Sequence, residues 1–427
     1  MNRNCSFRSL YGAAMLSQDF NQIIQDYIAP AFAVMCLLGQ IIGWRMWLRL
    51  VKSKRAKMLV HFVFIMFNLA WFFSVFALYR SEKLTDTVWS WVARPATAWQ
   101  LTYLFGILPL GLFFWIVIGA IRRLRPKKAD NFKFNENRRD FLKTAGAVGS
   151  LAVIGISGYG VARQGLPPKL VRHTITIKNL PPALDGFKIG HVTDIHLGLW
   201  ANQRELAQSL EVVATEKPHL VALTGDLVDR KPHYARLYYE PLKILSDVPH
   251  GVWGVLGNHD HYAGPLEIAE LLDGHGMNML MDKRVNLPGA PITIIGLDDQ
   301  GVHHNWMGNG VSAKPEDNDM ALNFQVVSGP SARPDDFVLL LNHRPEGLSQ
   351  ALEQGVQLYL AGHTHGGQYQ VPYYDQANLA AVFYKYSSGL YNEREAWINV
   401  SKGVAAVGIP YRLWAWPSVD LITLKAG

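Results

Sequence analysis

Between residues 194 and 367 the chain carries five short clusters of Asp, Asn and His, and each ends or closely follows a brief apolar run. In order they are Asp194-Ile195-His196, Gly225-Asp226-Leu227-Val228-Asp229, Gly257-Asn258-His259-Asp260, Asn342-His343 and Gly362-His363-Thr364-His365-Gly366-Gly367. Short apolar runs bounded by Gly, Asn and Asp read as buried strands. The runs predict strands over 175–177, 188–193, 220–224, 252–256, 292–297, 337–341, 357–360, 397–400 and 421–424. Helical spacing predicts helices over 203–215, 265–273 and 345–353. Strands that alternate with helices imply a mostly parallel sheet covered by helices, with ligands bound at the strand ends. Residues 301–320 are polar and Gly-rich and predict an exposed loop.

The first part of the chain has a different character. Three apolar runs, near 28–47, 58–79 and 99–120, each approach the roughly 20 residues a helix needs to cross a hydrocarbon core. Trp44, Trp47, Trp89, Trp91 and Trp99 fall near their ends, as interfacial aromatics do. Residues 1–143 hold 20 Lys and Arg against 7 acids, whereas the remainder is net acidic, so the overall charge of +7 is no nucleic-acid footprint. The basic residues sit in the first connection (Arg45, Arg49, Lys52, Lys54, Arg55, Lys57) and in the third, 121–143. The positive-inside rule places both in the cytoplasm, with the N-terminus and the second connection outside.

The third connection ends in Asn137-Arg138-Arg139-Asp140-Phe141-Leu142-Lys143, followed by a weakly apolar Gly- and Ala-rich stretch, 144–162. This segment resembles a bacterial twin-arginine export signal set inside the chain. Its alternative reading is a basic stop before a fourth span. Either reading puts the residues after about 163 outside the cytoplasm. The expected organisation is a three-helix transmembrane region at 1–125, a basic linker with the twin-arginine-like motif and a fourth apolar segment at 126–164, and an enzyme-like domain at 165–427. The two cysteines, Cys5 and Cys36, both precede it, so that domain has neither a disulfide framework nor a thiolate metal site.

The five clusters therefore have to be read by their oxygen and imidazole donors. A mixed Asp, Asn and His set suits Mn, Fe or Zn rather than a calcium cage. One ion can take Asp194, His196 and His365, and the other Asn258, His343 and His363. Asp226 can bridge them, because a carboxylate has two oxygens. Two ions about 3.5–4 Å apart acidify a shared water, and the resulting hydroxide suits in-line displacement at phosphorus. His259, next to a ligand, can protonate the leaving oxygen.

The ordered pattern D-x-H, GDxxD, GNHD, a lone His and GHxHGGQ resembles that of the calcineurin-like metallophosphoesterases, and more narrowly their membrane-anchored or twin-arginine-exported bacterial branch. The resemblance implies an α/β fold of the α+β sandwich kind, a four-layer αββα domain behind an all-α transmembrane region. It implies a dinuclear site with Asp194, His196, Asp226, Asn258, His343, His363 and His365 as ligands, and catalytic roles for His259 and Asp226. Asp229 and Asp260 either orient ligands or serve as turn and cap residues. The branch also implies a phosphohydrolase of phosphodiesterase or pyrophosphatase type on a lipid-linked or envelope substrate, such as a UDP-diacylglucosamine-type glycolipid. Its partners would be the bilayer of a bacterial inner membrane, the phosphoester and the twin-arginine export machinery, with no nucleic acid. The alternative is a non-catalytic membrane sensor or scaffold with a metal-binding ectodomain.

Other residues carry weaker expectations. Arg412, before the last strand, reads as a solvated surface residue or, in the alternative, as a phosphate contact, and His261, His303 and His304 as surface or pocket-edge residues. Tyr373 and Tyr374 read as lining the pocket mouth or as holding an ordinary loop or core position. The aromatic stretch 411–417 reads as packing against the last strand, or as a segment that dips toward the bilayer.

Overall fold

The computed structural model describes residues 29–80, scattered positions between 96 and 163, and then 166–198, 201–299, 322, 324–407 and 411–427. The chain separates into two compact units, with residues 16–162 in one and residues 163–427 in the other.

In the first unit, helix α1 (Ala29–Leu50) and helix α2 (Lys54–Arg80) correspond to the first two expected spans. Among the described residues, Lys54–Phe73 is the one stretch long and apolar enough to cross a membrane. It leaves Phe62, Ile65, Leu69, Phe72 and Phe73 exposed, which water does not favour. A ring of amides ties this unit together. Gln40 donates to Gln100 (3.1 Å), Gln100 to Asn68 (2.9 Å) and Asn68 to Gln40 (3.4 Å). Such amides lock apolar helices to one another. Residues 101–120 of the third expected span, the twin-arginine-like motif and most of the fourth apolar segment lie outside the described residues.

Among the described residues, the second unit contains fourteen strands. They are β1 (Lys169–Ile177), β2 (Lys188–Val192), β3 (Leu220–Thr224), β4 (Val252–Val255), β5 (Met277–Met279), β6 (Lys283–Asn286) and β7 (Ile292–Gly296), followed by β8 (Phe337–Leu341), β9 (Leu358–Ala361), β10 (Gln370–Val371), β11 (Tyr374–Asn378), β12 (Gly389–Glu393), β13 (Ala396–Val400) and β14 (Ser418–Ala426). Two six-stranded sheets result, ordered β1-β14-β2-β3-β4-β5 and β12-β13-β9-β8-β7-β6, and β10 and β11 form a separate hairpin. β2 to β5 run parallel, as do β7, β8, β9 and β13. Antiparallel neighbours complete each sheet at β14–β2, β6–β7 and β12–β13.

Strand alternation assigns the layers. In β3, Leu220 and Ala222 face inward and pack with Phe337, Leu339, Leu358 and Leu360 of the opposite sheet. Val221 and Leu223 face outward, against Leu206, Leu210 and Val213 of helix α3 (Gln203–Ala214). With both faces covered, β3 is apolar at every position but its last. On the far side, Leu340 and Val338 pack against Leu348 and Ala351 of a short helix (Leu348–Glu353). The order is helix, sheet, sheet, helix. α3 starts at a full capping box, with Asn202 accepting from the amides of Arg204 and Glu205 while Glu205 accepts from Asn202 N.

Candidate metal centre

All five clusters fall where β2, β3, β4, β8 and β9 end, and the parallel runs bring those ends to one edge of the sandwich. Asp194 and His196 follow β2, Asp226 follows β3, Asn258 follows β4, His343 follows β8, and His363 and His365 follow β9. Five of these residues hold left-handed backbone, with φ of 52° at Asp194, 48° at His196, 50° at Asp226, 70° at His363 and 52° at His365. Non-glycine residues in that region are uncommon, and each costs on the order of 1 kcal/mol or more. Glycines let the turns pack. A Cβ at Gly257 would stand 2.3 Å from Asp226 Oδ1, and one at Gly362 would stand 2.2 Å from Asp194 Oδ2.

The side chains converge in two groups that share Asp226. Donor atoms of Asp194, His196, Asp226 and His365 lie within 4.8 Å of one another, and so do those of Asp226, His343 and His363. His196 Nε2 stands 3.2 Å from His365 Nε2 and 3.4 Å from Asp226 Oδ2. His365 Nε2 is 3.3 Å from Asp194 Oδ1. In the second group, His343 Nε2 is 3.3 Å from Asp226 Oδ2 and 3.2 Å from His363 Nδ1. Ring nitrogens aimed at each other this closely are the arrangement a shared cation demands. The buried Oδ1 of Asn258 has no hydrogen-bond partner, although a buried amide oxygen almost always has one. The donor set therefore fits a pair of hard to borderline divalent ions.

Main-chain carbonyls set the imidazole tautomers. His343 Nδ1 lies 2.9 Å from Thr224 O, and His365 Nδ1 lies 2.9 Å from Ala405 O. When each Nδ1–H donates outward, Nε2 is left as an electron-pair donor facing the site. Asp194 is fixed from behind, accepting from His363 N at 3.1 Å. Burial keeps His196 neutral, down at about 4, despite the pull of Asp226. Burial also holds His363 and His365 well below the usual imidazole range, with Arg344 and His196 respectively adding to the effect. Neutral imidazole is the metal-binding form. At His343, burial is outweighed by Asp226 and Asp194, which push it to about 10, so a cation that binds there displaces a proton. Burial would raise Asp226, but His343, His259 and His196 hold it well below the carboxylate range.

His259 lies beside the two groups. Its amide donates to Asp226 Oδ1 (2.8 Å), and its Nδ1 lies 3.0 Å from Asp229 Oδ1. Burial opposes its charge, but Asp226 and Asp229 raise it to about 9. Asp260 buckles two motif turns together, accepting from Gly257 N (2.9 Å), Leu227 N (3.1 Å) and Val228 N (2.9 Å). It caps its own short helix, Asn258–Ala263, and orients the Asp226 turn at the same time.

Several residues depart from the sequence expectations. Arg412 is fully buried, not solvated. Its guanidinium donates to the carbonyls of Ala405 and Ala415, and because Ala405 O is also the acceptor of His365 Nδ1–H, it braces a candidate ligand through that shared carbonyl. His261 is largely covered and pairs with Asp298 at 2.7 Å. Tyr373 and Tyr374 are exposed, whereas Tyr411 and Ala415 of the aromatic stretch are buried and Trp414 is open to solvent. His303 and His304 lie outside the described residues. The sequence reading missed Arg344, which pairs with buried Asp299 at 2.8 Å and reaches His363 Nε2 at 3.0 Å, and Tyr384, whose Oη is also 3.0 Å from that nitrogen. Asp298-Asp299 directly after a predicted strand was the available signal.

A family model described as calcineurin-like phosphoesterase matches residues 187–367. A Bacillus subtilis (strain 168) protein, named an uncharacterized metallophosphoesterase, YkuE, is 31% identical over 301 residues, covering 68% of this chain and 98% of that protein. A Danio rerio protein, named a transmembrane protein with metallophosphoesterase domain, is 30% identical, covering 75% of this chain and 72% of that one. Among solved structures, a Thermus thermophilus sulfate thiohydrolase, SoxB, aligns at 12% identity with a TM-score of 0.31, over 53% of each chain.

Proposed function

Since the chain belongs to the calcineurin-like metallophosphoesterase family and is thereby a metal-dependent phosphoester hydrolase, we propose that it is a membrane-anchored phosphohydrolase of phosphodiesterase or pyrophosphatase type. In this reading Asp194, His196, Asp226, Asn258, His343, His363 and His365 hold two divalent ions. The observation that carries it is the membership of Asp226 in both donor groups.

Two bound cations supply charge neutralisation for a phosphoryl group and a water acidic enough to attack near neutral pH. The remaining work falls to the chain itself. Asp226 stays ionised over the whole working range, because three imidazoles outweigh its burial. Asp229 accepts from His259 Nδ1–H and keeps that ring charged at neutral pH. The other ring N–H of His259 is then the donor that can protonate a leaving oxygen or neutralise a phosphoryl oxygen. Asp260 fixes the turn that carries Asp226, and Arg412 holds the Ala405 carbonyl that orients His365.

Anchoring is supported by Lys54–Phe73 and by relatives from Danio rerio and Bos taurus that are named transmembrane proteins. A multi-pass placement in a bacterial inner membrane with the catalytic domain outside the cytoplasm rests on the charges flanking the apolar runs. Export by the twin-arginine route rests on residues 137–143. A lipid-linked or envelope substrate, with the UDP-diacylglucosamine-type glycolipid as its sharpest form, rests on the sequence resemblance alone.

The test is hydrolysis of bis-p-nitrophenyl phosphate by the full chain in detergent, stripped of metal and then given Mn, Fe or Zn, beside Asp226→Asn. Turnover should require metal and fall about a thousandfold or more in the variant. A variant within tenfold of wild type, under ~1.4 kcal/mol of lost stabilisation, would remove Asp226 from its central role.

A further inference from the structure

Beyond the metal centre, the described residues of this unit include an apolar surface that its core does not explain. The hairpin β10–β11 and the turn that follows it expose Val371, Tyr374, Leu379, Val382 and Phe383, with Tyr373 at the tip 100% accessible. Trp414 adjoins them through a β-bridge to Tyr369. Water strips such side chains into a core unless another medium covers them.

The tip is also conformationally costly. Pro372 and Tyr373 form a two-residue turn between Val371 and Tyr374, and Tyr373 holds φ 68°. Turns of this kind place Gly or Asn there, because a bulky side chain is strained. Trp414 has the same left-handed backbone, with φ 60°. Two aromatic rings are thus held outward against both solvation and backbone preference.

We propose that this surface is a bilayer-docking face that seats the metal centre against the lipid headgroup layer. Two observations select lipid as the occupant. First, residues 371–384 contain one acid or base, Asp375, and it is tied down by Lys402 (2.8 Å) and Gln370 (2.7 Å). A charged protein partner finds no complement there, whereas Tyr, Trp and Phe beside aliphatic residues are the side chains that settle at a membrane interface. Second, the same chain carries Lys54–Phe73, so a bilayer is always close at hand. In this respect the inference rests on the membrane-anchored reading above. The face also adjoins the site. The backbone of Gly367, in the last metal motif, packs so closely on Leu379 and Ala380 that a Cβ there would stand 2.3 Å from Ala380 N. Tyr384, directly after Phe383, reaches His363 Nε2 at 3.0 Å. A phosphoester in the headgroup layer would therefore meet the candidate ligands without leaving the membrane.

The test uses the full chain with Cys5→Ser and Cys36→Ser, which leaves no other thiol. It is reconstituted in vesicles of phosphatidylcholine and phosphatidylglycerol. A bimane label is placed at Tyr373→Cys, at Leu379→Cys, or at Lys178→Cys as the reference. Lys178 follows β1, which runs opposite to β2, so it marks the edge away from the site. Lipids bearing a nitroxide near the headgroup should quench the label at 373 and 379 at least twofold more than at 178. Equal quenching at all three positions, or none at 373 and 379, would overturn the proposal. Turnover of water-soluble bis-p-nitrophenyl phosphate by the same labelled proteins reports separately on the hydrolase. Its loss would sink the phosphohydrolase reading while the quenching result still stands or falls alone.

Discussion

Gly362→Ala should cripple turnover while the fold survives, and the reason is steric rather than conformational. Gly362 opens the last metal motif directly after β9. A Cβ built there would lie 2.2 Å from both Asp194 Oδ2 and Thr193 Oγ1. Ordinary contacts begin near 3.2 Å or beyond, so something must move by about 1 Å. Neither neighbour can swing away cheaply. Asp194 accepts from His363 N, and Thr193 Oγ1 donates to Thr224 O at 2.9 Å. The displacement therefore falls on a candidate ligand, and misplacement of about 1 Å in such a site costs on the order of a hundredfold in rate. Overpacking of this size costs about 1–3 kcal/mol of stability, or a melting shift of roughly 2–10 °C in a domain of this size. The assay is metal-dependent hydrolysis of bis-p-nitrophenyl phosphate together with a thermal melt. Gly274→Ala is the control, since its helical backbone (φ −63°) and nearest contact at 3.4 Å admit a methyl group. If Gly362→Ala turns over within twofold of wild type, the close approach of that backbone to Asp194 is not what the site depends on.

Three further outcomes follow from the same geometry. Asp260→Ala leaves the amides of Gly257, Leu227 and Val228 without their acceptor; at about 1–3 kcal/mol for each buried donor it should cost several kcal/mol in a denaturant melt, with activity lost alongside. Burial pulls His191 down to about 4, against Asp420 and with help from His173. The folded domain therefore resists its protonation, and the His191 share of the stability, full above pH 6.5, should fall by about 3 kcal/mol as the pH drops toward 4; in urea melts of metal-stripped protein His191→Asn should lose about that much less than wild type over this range, while His196, also down at about 4, keeps its own slope in both. Chelation should lower the melting point and added Mn should restore it, with ligand at a thousand times its Kd contributing about 4 kcal/mol; an unchanged melt would separate metal from folding.

The candidate site was far more legible than the architecture that holds it. The ligand clusters are contiguous in sequence, and strands 220–224 and 337–341 end where their apolar runs end. Division into two sheets was not visible in those runs, because it depends on which face of each strand finds the other sheet. Val221 and Leu220 are equally apolar, yet they enter different cores. The helix expected from 345 starts only at Leu348, since Pro345 precedes Gly347 with its φ of 73°. The hairpin β12–β13 was half missed, because Glu393, Arg394 and Glu395 make its turn look like a solvated loop. Arg412 was misjudged for another reason. A buried guanidinium needs carbonyls gathered from Ala405 and Ala415, and only the folded chain gathers them.

The two donor groups have a mechanical consequence. Asp194, His196 and Asp226 hang from one sheet, whereas His343, His363 and His365 hang from the other. Each ion would act as a rivet through the seam of the sandwich, and prying the sheets apart would require pulling it out. Amide exchange in β3 and β8 should then slow together on metal loading, although neither strand contributes a donor atom from within its own length. A cavity cut deep in the seam, as by Leu339→Ala, should in turn loosen metal retention at the rim without touching a ligand.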